Sequence, residues 1–431
     1  MSWATRATVR LLPRRIEQST PVPVTRCNRL GRGAVTMPVV GATAGSGLPS
    51  QAQSQQLLGF RETCSSQGSC AVVIKLLEAT PLTTEPDQQN HRKPTAIDLF
   101  SGCGGLTQGL VDAGFEVLGA IERDPLAVRT FRANHPGIRV WSRDIRKVTA
   151  KEVMLALNLE PGQLDLLAGC PPCQGFSRMR TLNGTRDVDD DRNDLVFQYL
   201  KFVRVQRPRA LMFENVPGLR SDARFGRLEE KLLGLGYVTA TEVRNAAMFG
   251  VAQRRSRLIL LAGRGFAVPF PPPVAAEQRR TVRDVIGKLM PPGNTGDDAH
   301  DVVENRAPHV RELIRRIPKD GGSRSALDEA STLGCHRRCD GFYDVYGRMA
   351  WDDVSPTLTS GFVNPSKGRF LHPAQDRCIT PREAALLQSF PSCYKFPMMS
   401  GKYPVAAMIG NAFPPLFAQV HAEAVAGALP D

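Results

Sequence analysis

Short apolar runs and amphipathic stretches alternate along the chain from Thr95 onward. Five apolar runs have the length of strands, at 95–100, 115–122, 139–145, 164–168 and 210–216. Three stretches between them carry apolar residues at helical spacing, at 106–113, 125–134 and 194–206. Strands that alternate with helices indicate βαβ units, and therefore an α/β fold with a doubly wound, mostly parallel sheet. Ligands of such sheets bind at the carboxyl ends of the strands, so the residues there are the first candidates for a functional site.

The pattern weakens on both sides of this region. Residues 1–93 are rich in Arg, Ser, Thr, Gln, Gly and Pro, and we predict a disordered basic tail there. An organelle transit peptide, or a shorter product that begins at Met37, is an alternative for this segment. Residues 256–262 predict one more buried strand, whereas 264–340 are rich in Pro, Gly, Arg and Asp and predict a second, irregular domain. Residues 405–427 are predicted to be helical again.

The charge balance favours an acidic partner. The 431 residues include 55 Lys and Arg against 42 Asp and Glu, which gives a net charge of +13. Residues 1–93 hold 11 basic and 5 acidic residues and so contribute +6 of this surplus. Nucleic acid is the first partner that such a surplus suggests. No apolar run approaches the ~20 residues that cross a bilayer, and no secretory signal is evident, so we predict a cytoplasmic protein without a membrane partner.

A glycine turn joins the first predicted strand to the first predicted helix, in the segment DLFSGCGGL at 98–106. Glycines let the backbone approach a ligand closely. Their spacing is not G-x-G-x-x-G, however, and a tight turn with nothing bound explains the pattern equally well. Glu122 and Asp144 follow the next two strands, where they could bind ribose hydroxyls and an adenine amine.

Two prolines stiffen the backbone just before Cys173, in the segment GCPPCQGFS at 169–177. A rigid loop at a strand end that presents one thiol suits a nucleophile. The Cys170-x-x-Cys173 spacing also occurs in thioredoxin-like pairs, which open a helix in a much smaller domain, and in zinc sites, which need a second pair. The irregular segment Cys335–Cys339 is the only candidate for that pair. Cys170 itself is predicted to be small, buried and inert.

An acid and three polar residues occur at the later strands. Glu214 lies at the end of the fifth predicted strand within Glu-Asn-Val, a position suited to a cleft, and an ion pair with a nearby arginine is the alternative in this Arg-rich chain. Gln253, Arg255 and Arg257 alternate onto one side of the chain as it enters the next strand. This favours a contact with an anion or a base edge, and an edge strand with solvated arginines is the alternative.

The order of these motifs from Thr95 to the C-terminus resembles that of the DNA (cytosine-5) methyltransferases of the bacterial type. The segment DLFSGCGGL is similar to the family's first S-adenosyl-L-methionine motif, and PPCQGFS is similar to its nucleophile loop. Glu-Asn-Val and Gln-x-Arg-x-Arg resemble two further family motifs. Residues 380–391 resemble the motif that packs against the recognition domain, and 410–415 resemble the terminal motif that returns to the cofactor pocket.

The resemblance implies the Rossmann-like fold of S-adenosyl-L-methionine-dependent methyltransferases. It divides the chain into a catalytic domain at 94–269, a smaller, irregular target recognition domain at 270–403, and a segment at 404–431 that returns to the catalytic domain. The implied catalytic residues are Cys173, Glu214, Arg255 and Arg257. The implied cofactor-binding residues are Asp98, Phe100, Gly102, Gly104, Gly105, Leu106, Glu122, Asp144, Ile145, Pro172, Asn411 and Phe413. The resemblance implies no metal.

The implied activity is transfer of a methyl group from S-adenosyl-L-methionine to C5 of a flipped-out cytosine in a specific sequence of double-stranded DNA. Cys173 would form a covalent adduct with C6, Glu214 would bond the ring, and Arg255 would hold the base carbonyl or orient the thiolate. The compact length favours a bacterial restriction–modification or solitary enzyme over a large multidomain eukaryotic one. A monomer acting on each strand in turn would suffice, and a cognate restriction endonuclease is a further expected partner. The alternatives are a tRNA cytosine-5 methyltransferase and a regulator that binds S-adenosyl-L-methionine without catalysis, and the glycine spacing disfavours an NAD-dependent oxidoreductase.

Three positions depart from the family's pattern. Arg123 stands where many members have a bulky apolar residue against the adenine, Ser389 where glycine is common, and Phe413 where valine is common. None of them belongs to the implied catalytic set. Sequence readout is expected within 265–340, and the arginines that could contact phosphate or guanine are Arg279, Arg280, Arg315, Arg316, Arg337 and Arg338.

Overall fold

A computed structural model describes residues 92–172, 195–327 and 344–431. These residues belong to one compact unit, which spans 63–431. The tail predicted to be disordered lies outside the described residues except for Arg92 and Lys93, as does the start at Met37. Cys173 also lies outside them, as do Cys335 and Cys339, the candidate second pair of a zinc site.

A seven-stranded sheet forms the centre of the described residues. Its strands are β1 (Thr95–Leu99), β2 (Glu116–Glu122), β3 (Arg139–Ser142), β4 (Leu166–Gly169), β5 (Ala210–Asn215), β6 (Tyr237–Asn245) and β7 (Ser256–Arg264). Their order is β3-β2-β1-β4-β5-β7-β6. The first five strands pair in parallel, whereas β7 is antiparallel to both β5 and β6. The predicted α/β class and mostly parallel sheet are therefore confirmed, and β6 is an additional strand that the sequence pattern did not predict.

The described residues form ten α-helices. They are α1 (Gly105–Asp112), α2 (Pro125–Asn134), α3 (Ala150–Leu157), α4 (Leu195–Gln206), α5 (Ala223–Gly234), α6 (Val282–Ile286), α7 (Pro308–Arg316), α8 (Pro381–Leu387), α9 (Lys402–Asn411) and α10 (Pro415–Ala428). Of these, α1, α3, α4, α5 and α10 pack on the faces of this sheet. Successive side chains of a strand point to opposite faces, so β4 sends Leu167 into one core and Leu166 and Ala168 into the other. The first core includes residues of α3, α4 and α5, and the second includes residues of α1 and α10.

A third core lies outside the sheet and joins α6, α8 and α9 to the loops between them. It includes Val282, Leu358, Phe370 and Val405, together with Cys103 from the glycine turn. The region of the chain expected to recognise the target therefore shares apolar packing with the turn that follows β1.

Arg348 organises the loops beside this third core. Its side chain is completely buried, and the buried guanidinium donates to four backbone carbonyls and to one carboxylate. The acceptors are Ile314 O, Ile317 O, His372 O, Gln375 O and Asp376 Oδ1, at 2.5 to 3.1 Å. Two of these carbonyls belong to the C-terminal end of α7, whose last carbonyls have no partner within the helix. Arg348 therefore ties α7 to the segment at 372–376.

Candidate active site

Asp98 lies at the carboxyl end of β1, completely buried under the glycine turn. Its Oδ2 accepts a hydrogen bond of 2.6 Å from the Thr107 hydroxyl, while its Oδ1 is buried without a hydrogen-bond partner. Burial, assisted by the negative charge of Glu122, raises the pKa of Asp98 to about 7. A desolvated carboxyl with one unused oxygen is suited to receive an N–H donor from a ligand.

Glu122 ends β2 and joins two turns. One carboxylate oxygen accepts from the Gly102 N–H at 2.9 Å, and the other accepts from the N–H groups of Arg123 and Asp124 at 2.7 Å. Asp124 in turn caps α2 by accepting from Leu126 N at 2.9 Å. Glu122 is thus fixed by backbone donors at the strand end where the sequence predicts a ligand.

Asp144 lies after β3 and caps the short turn Ile145–Lys147. Its carboxylate receives Arg146 Nε and Nη2 at 3.0 and 2.8 Å, and Arg123 Nη1 lies 3.4 Å from Oδ2. The hydrogen bond from Arg146 is the main cause that holds the pKa of Asp144 well below its usual range. Asp144 therefore carries a full negative charge, but two arginines already engage the oxygens that were predicted to receive an adenine amine.

The glycines of the turn differ in what surrounds them. Gly102 has a φ of +55° and open space where a side chain would be. A Cβ on Gly104 or Gly105 would instead collide with protein atoms, such as Phe413 O at 2.3 Å from the latter. Leu106 is buried in the second core. Gly102 is consequently the position at which the backbone is open to a ligand. At Gly104, Gly105 and Leu106 only backbone atoms could contact a ligand in the turn.

Two apolar residues predicted to contact the cofactor border the first core. Ile145 is buried in that core, and Phe100 packs against it half-buried with a left-handed φ of 64°. Left-handed backbone is uncommon for a bulky residue and marks a position that the surrounding structure holds in place. Phe100 therefore remains accessible in part, directly before the turn.

The proline segment after β4 is held by the neighbouring strands. The Cys170 N–H donates to Leu99 O at 3.2 Å, and Asn215 Nδ2 donates to Pro171 O at 3.0 Å. Pro172 is half-buried, and Cys173 follows it outside the described residues. Burial and the negative charge of Glu214 raise the pKa of the Cys170 thiol well above its usual range. Cys170 is therefore a protonated, unreactive thiol, as predicted, although it is partly rather than fully buried.

Glu214 and Arg257 form an ion pair between neighbouring antiparallel strands. The Arg257 Nε lies 2.8 Å from Glu214 Oε1, and both side chains are close to buried. Glu214 is the second-last residue of β5, directly before Asn215, which anchors the proline segment. The interpretation of Glu214 as an arginine-paired acid is therefore confirmed, and its role as a cleft acid stays a prediction.

Arg255 is buried and bonded to backbone groups. Its side chain is 2% exposed, and its guanidinium donates to the backbone carbonyls of Gly410 at 3.1 Å and Leu358 at 3.3 Å. Gln253 is also fully buried and accepts from Leu358 N at 3.0 Å. Backbone groups therefore engage one end of each of these two side chains, while Arg255 Nε and Gln253 Nε2 are buried without a hydrogen-bond partner. A contact of Gln253 or Arg255 with a base edge stays a prediction, and of the three residues it is Arg257 that pairs with Glu214.

The terminal motif approaches the glycine turn through its backbone. The Phe413 carbonyl borders Gly105, while the Phe413 ring packs on Phe417 in the second core. Asn411 is exposed at the end of α9. The ring of Phe413 therefore packs into the protein, and the carbonyl is the part of this residue that lies at the turn.

Sequence reasoning assigned no role to several residues that build the site. Asn215 anchors the proline segment, and Asn245 Oδ1 accepts from Arg255 N at 3.0 Å. Tyr394 donates to Cys103 O at 2.5 Å. Asn215 stands inside a recognised motif and so had a signal, whereas the contacts of Asn245 and Tyr394 depend on distant segments.

Comparisons with known proteins place this arrangement in a family. The family described as C-5 cytosine-specific DNA methylase matches residues 95–427. The chain belongs to this family. It is therefore a DNA (cytosine-5-)-methyltransferase, and its methyl donor is S-adenosyl-L-methionine. An NAD-dependent oxidoreductase and a regulator without catalysis are thereby set aside.

Individual relatives agree with this assignment. The Type II methylase M.HgiDII of Herpetosiphon aurantiacus is 36% identical over 342 residues, which cover 76% of this chain and 94% of the relative. The Type II methyltransferase M1.HphI of Haemophilus parahaemolyticus is 34% identical over 337 residues, which cover 77% and 86%. A crystal structure described as a prophage-encoded DNA modification methyltransferase from E. coli aligns with a TM-score of 0.58 at 23% identity, over 78% of this chain and 100% of that one. That likeness shows the shared fold.

The residues around the turn fit the methyl donor. The unused buried oxygen of Asp98 suits the ammonium group, Glu122 suits the ribose hydroxyls, and the open Gly102 leaves room for close approach. Asp144 suits the adenine amine only if its arginine partners shift.

Among the described residues, no helix is both long and apolar enough to span a bilayer.

Proposed function

We propose that this enzyme methylates C5 of a flipped-out cytosine within one specific sequence of double-stranded DNA, through a covalent bond between Cys173 and C6. The Glu214–Arg257 pair carries this proposal. It stands beside the loop that continues into Cys173 and that Asn215 anchors at Pro171. A carboxylate, a guanidinium and a thiol are the groups that activation of cytosine requires, and Cys173, which follows Pro172 in the sequence, would supply the thiol.

The chemistry follows from the low reactivity of C5. The Cys173 thiolate adds to C6, which moves the C5–C6 electron pair onto C5 and the ring. Glu214 bonds N3 and the exocyclic amine and stabilises the charge that develops there. Arg257 holds Glu214 in place and offers its remaining N–H groups to the base carbonyl. S-adenosyl-L-methionine supplies an electrophilic methyl group, which C5 accepts. Loss of the C5 proton to a base then allows Cys173 to leave with its electron pair.

Access to the base requires its removal from the duplex stack. We assign the second side of the DNA cleft to residues 270–403, with sequence readout within 265–340. Arg279 and Arg280 are exposed there, whereas Arg315 and Arg316 both pair with Glu312 on α7. Arg337 and Arg338 lie outside the described residues.

The biological setting is part of the proposal. The names of M.HgiDII and M1.HphI place those relatives in Type II systems. We propose a restriction–modification or solitary bacterial enzyme, a monomer that acts on each strand in turn. A cognate restriction endonuclease would be its partner in the first case.

Covalent trapping tests the mechanism. Duplexes of randomised sequence that contain 5-fluoro-2′-deoxycytidine are incubated with the enzyme and S-adenosyl-L-methionine, because a C5 fluorine cannot leave as a proton and the adduct persists. We expect a complex that survives denaturing electrophoresis for the wild type and for the exposed-cysteine control Cys393→Ser, and none for Cys173→Ser. A stable complex with Cys173→Ser contradicts the proposed nucleophile, and trapping only on 5-fluorocytidine-substituted tRNA would favour an RNA substrate.

A further inference from the structure

Tyr394 links the glycine turn to the C-terminal end of α2. Its hydroxyl donates to Cys103 O at 2.5 Å, and His135 Nε2 lies 3.1 Å from the same hydroxyl oxygen. A carbonyl can only accept, so the hydroxyl proton points to Cys103 and the His135 Nε2–H donates to the hydroxyl. Burial lowers the pKa of His135 to about 4, so the ring is neutral at pH 7 and keeps a single N–H.

A second pair of hydrogen bonds fastens α2 to the same segment. Asn134 Nδ2 donates to Lys395 O at 2.9 Å, and Lys395 N donates to Asn134 Oδ1 at 2.7 Å. The centroid of the Tyr394 ring lies 4.8 Å from that of Phe390 and 5.3 Å from that of Phe396, within the third core. Residues 394–395 are therefore held between the recognition side of the molecule and the turn.

Gly104 shows how closely this contact is built. A Cβ at this position would lie 2.7 Å from Tyr394 Oη and 2.9 Å from His135 Nε2, and its φ is +96°. Gly104 is therefore required by the protein's own packing, whereas Gly102 faces open space. The two glycines serve different purposes that their spacing in the sequence does not distinguish.

We infer that Tyr394 and His135 are positioning residues for the methyl donor. They fix the Cys103 carbonyl and with it the glycine turn. In this turn the Gly102 N–H donates to Glu122, and the Cα of Gly102 faces open space that a ligand could occupy. This inference rests on the proposed assignment of the turn to the cofactor. It also gives the third core a direct mechanical connection to that site, because Tyr394 belongs to the core and touches the turn.

The inference is tested by binding of S-adenosylhomocysteine to the full-length, DNA-free protein, measured by calorimetry. Loss of one buried hydrogen bond at the turn is expected to raise Kd about tenfold in Tyr394→Phe. The matched control Tyr403→Phe alters an exposed tyrosine and should leave Kd unchanged. With saturating donor, kcat should stay near the wild-type value while KM for the donor rises. Hydrogen exchange of the amides at 102–106 should accelerate in Tyr394→Phe alone.

A second pair of variants keeps the test decisive if Tyr394→Phe does not fold. His135→Gln retains an N–H donor and should preserve the affinity, whereas His135→Leu should weaken it. Wild-type Kd and exchange in Tyr394→Phe, or wild-type Kd in His135→Leu, would overturn the inference. Glu122→Ala distinguishes failure of the positioning role from failure of the cofactor site at the turn. A weakened Kd in Glu122→Ala with none in the Tyr394 and His135 variants overturns the positioning role alone. Wild-type Kd in all of them overturns the cofactor site itself.

Discussion

Arg257 Nε lies 2.8 Å from Glu214 Oε1, between the adjacent antiparallel strands β7 and β5. The two side chains are both close to buried, so solvent screens their attraction less than it would at the surface. Removal of either partner leaves the other charge desolvated. The pair therefore constrains the acid that, in the proposed mechanism, bonds the cytosine ring.

Glu214→Gln tests this acid. The amide keeps the shape but cannot share a proton with N3 as the ring takes up the electron pair from the attack at C6, so we expect kcat to fall by about 10²- to 10⁴-fold. Binding of S-adenosylhomocysteine should be unchanged, since Glu214 lies outside the cofactor residues. Glu242→Gln, which alters an acid at the sheet edge that pairs with Arg244, serves as the control and should retain full activity. An active Glu214→Gln enzyme, assayed by methyl incorporation into DNA, would remove Glu214 from the mechanism.

Replacement by lysine should lower mainly the stability at Arg255 and mainly the catalytic rate at Arg257. Arg255→Lys loses two carbonyl contacts in a buried place, and we expect the free energy of unfolding to fall by about 2 to 4 kcal/mol. Arg257→Lys should lower kcat strongly with a smaller loss of stability. Urea unfolding curves and initial rates on the same preparations separate the two effects. An Arg255→Lys protein of wild-type stability that is inactive would mean that Arg255 contacts the reacting base after all.

The contrast between these arginines shows where sequence reasoning stops. The apolar runs predicted β1 to β5 and β7. Burial of consecutive residues explains this for β1, β4, β5 and β7, whereas β3 buries a single residue. Alternation predicted that Arg255 and Arg257 share a face, but Arg257 pairs with Glu214. The partners of Arg255 lie instead at Leu358 and Gly410. Such distant contacts are set by tertiary packing and leave no local pattern.

The strand β6 was missed for a related reason. It is an edge strand with few buried positions, and its sequence YVTATEVRN mixes polar and apolar residues. Only its pairing with β7 makes it a strand, since an edge strand has no need of a continuous apolar run. The site residues at strand ends were predicted because parallel strands bring their carboxyl ends together, whereas the roles of Tyr394 and Arg348 required the folded structure.

Asp98 should make cofactor binding depend on pH. The pKa of Asp98 is about 7 in the free protein, and a bound ammonium group would lower it. Below pH 7 the carboxyl must lose a proton before it binds as an anion, whereas above pH 7 it is already ionised. We therefore expect the affinity for S-adenosylhomocysteine to fall about tenfold from pH 8 to pH 6. Calorimetry on Asp98→Asn should show weaker binding without this slope, and an equal slope in both proteins would assign the titration elsewhere.

Arg348 should matter for stability and not for chemistry. Its replacement in Arg348→Met removes the donor to five acceptors and leaves Asp376 with Lys319 as its cationic partner. We expect a loss of about 3 to 5 kcal/mol in the free energy of unfolding. The exposed Arg311 on α7, the helix whose carbonyls Arg348 binds, provides the control Arg311→Met, which should change stability by less than about 0.5 kcal/mol. Denaturant unfolding of both variants decides the matter, and equal curves would show that Arg348 is dispensable to the loops.

Bisulfite sequencing of a host genome shows whether this chain methylates cytosines in one DNA sequence. The full chain and its Cys173→Ser variant are expressed in a host that lacks cytosine methylation, and soluble protein is verified for both. The account predicts that the wild type protects cytosines in one short sequence context and that protection disappears with Cys173→Ser. Complete conversion of every cytosine in the presence of soluble wild-type protein would contradict sequence-specific DNA methylation by this chain.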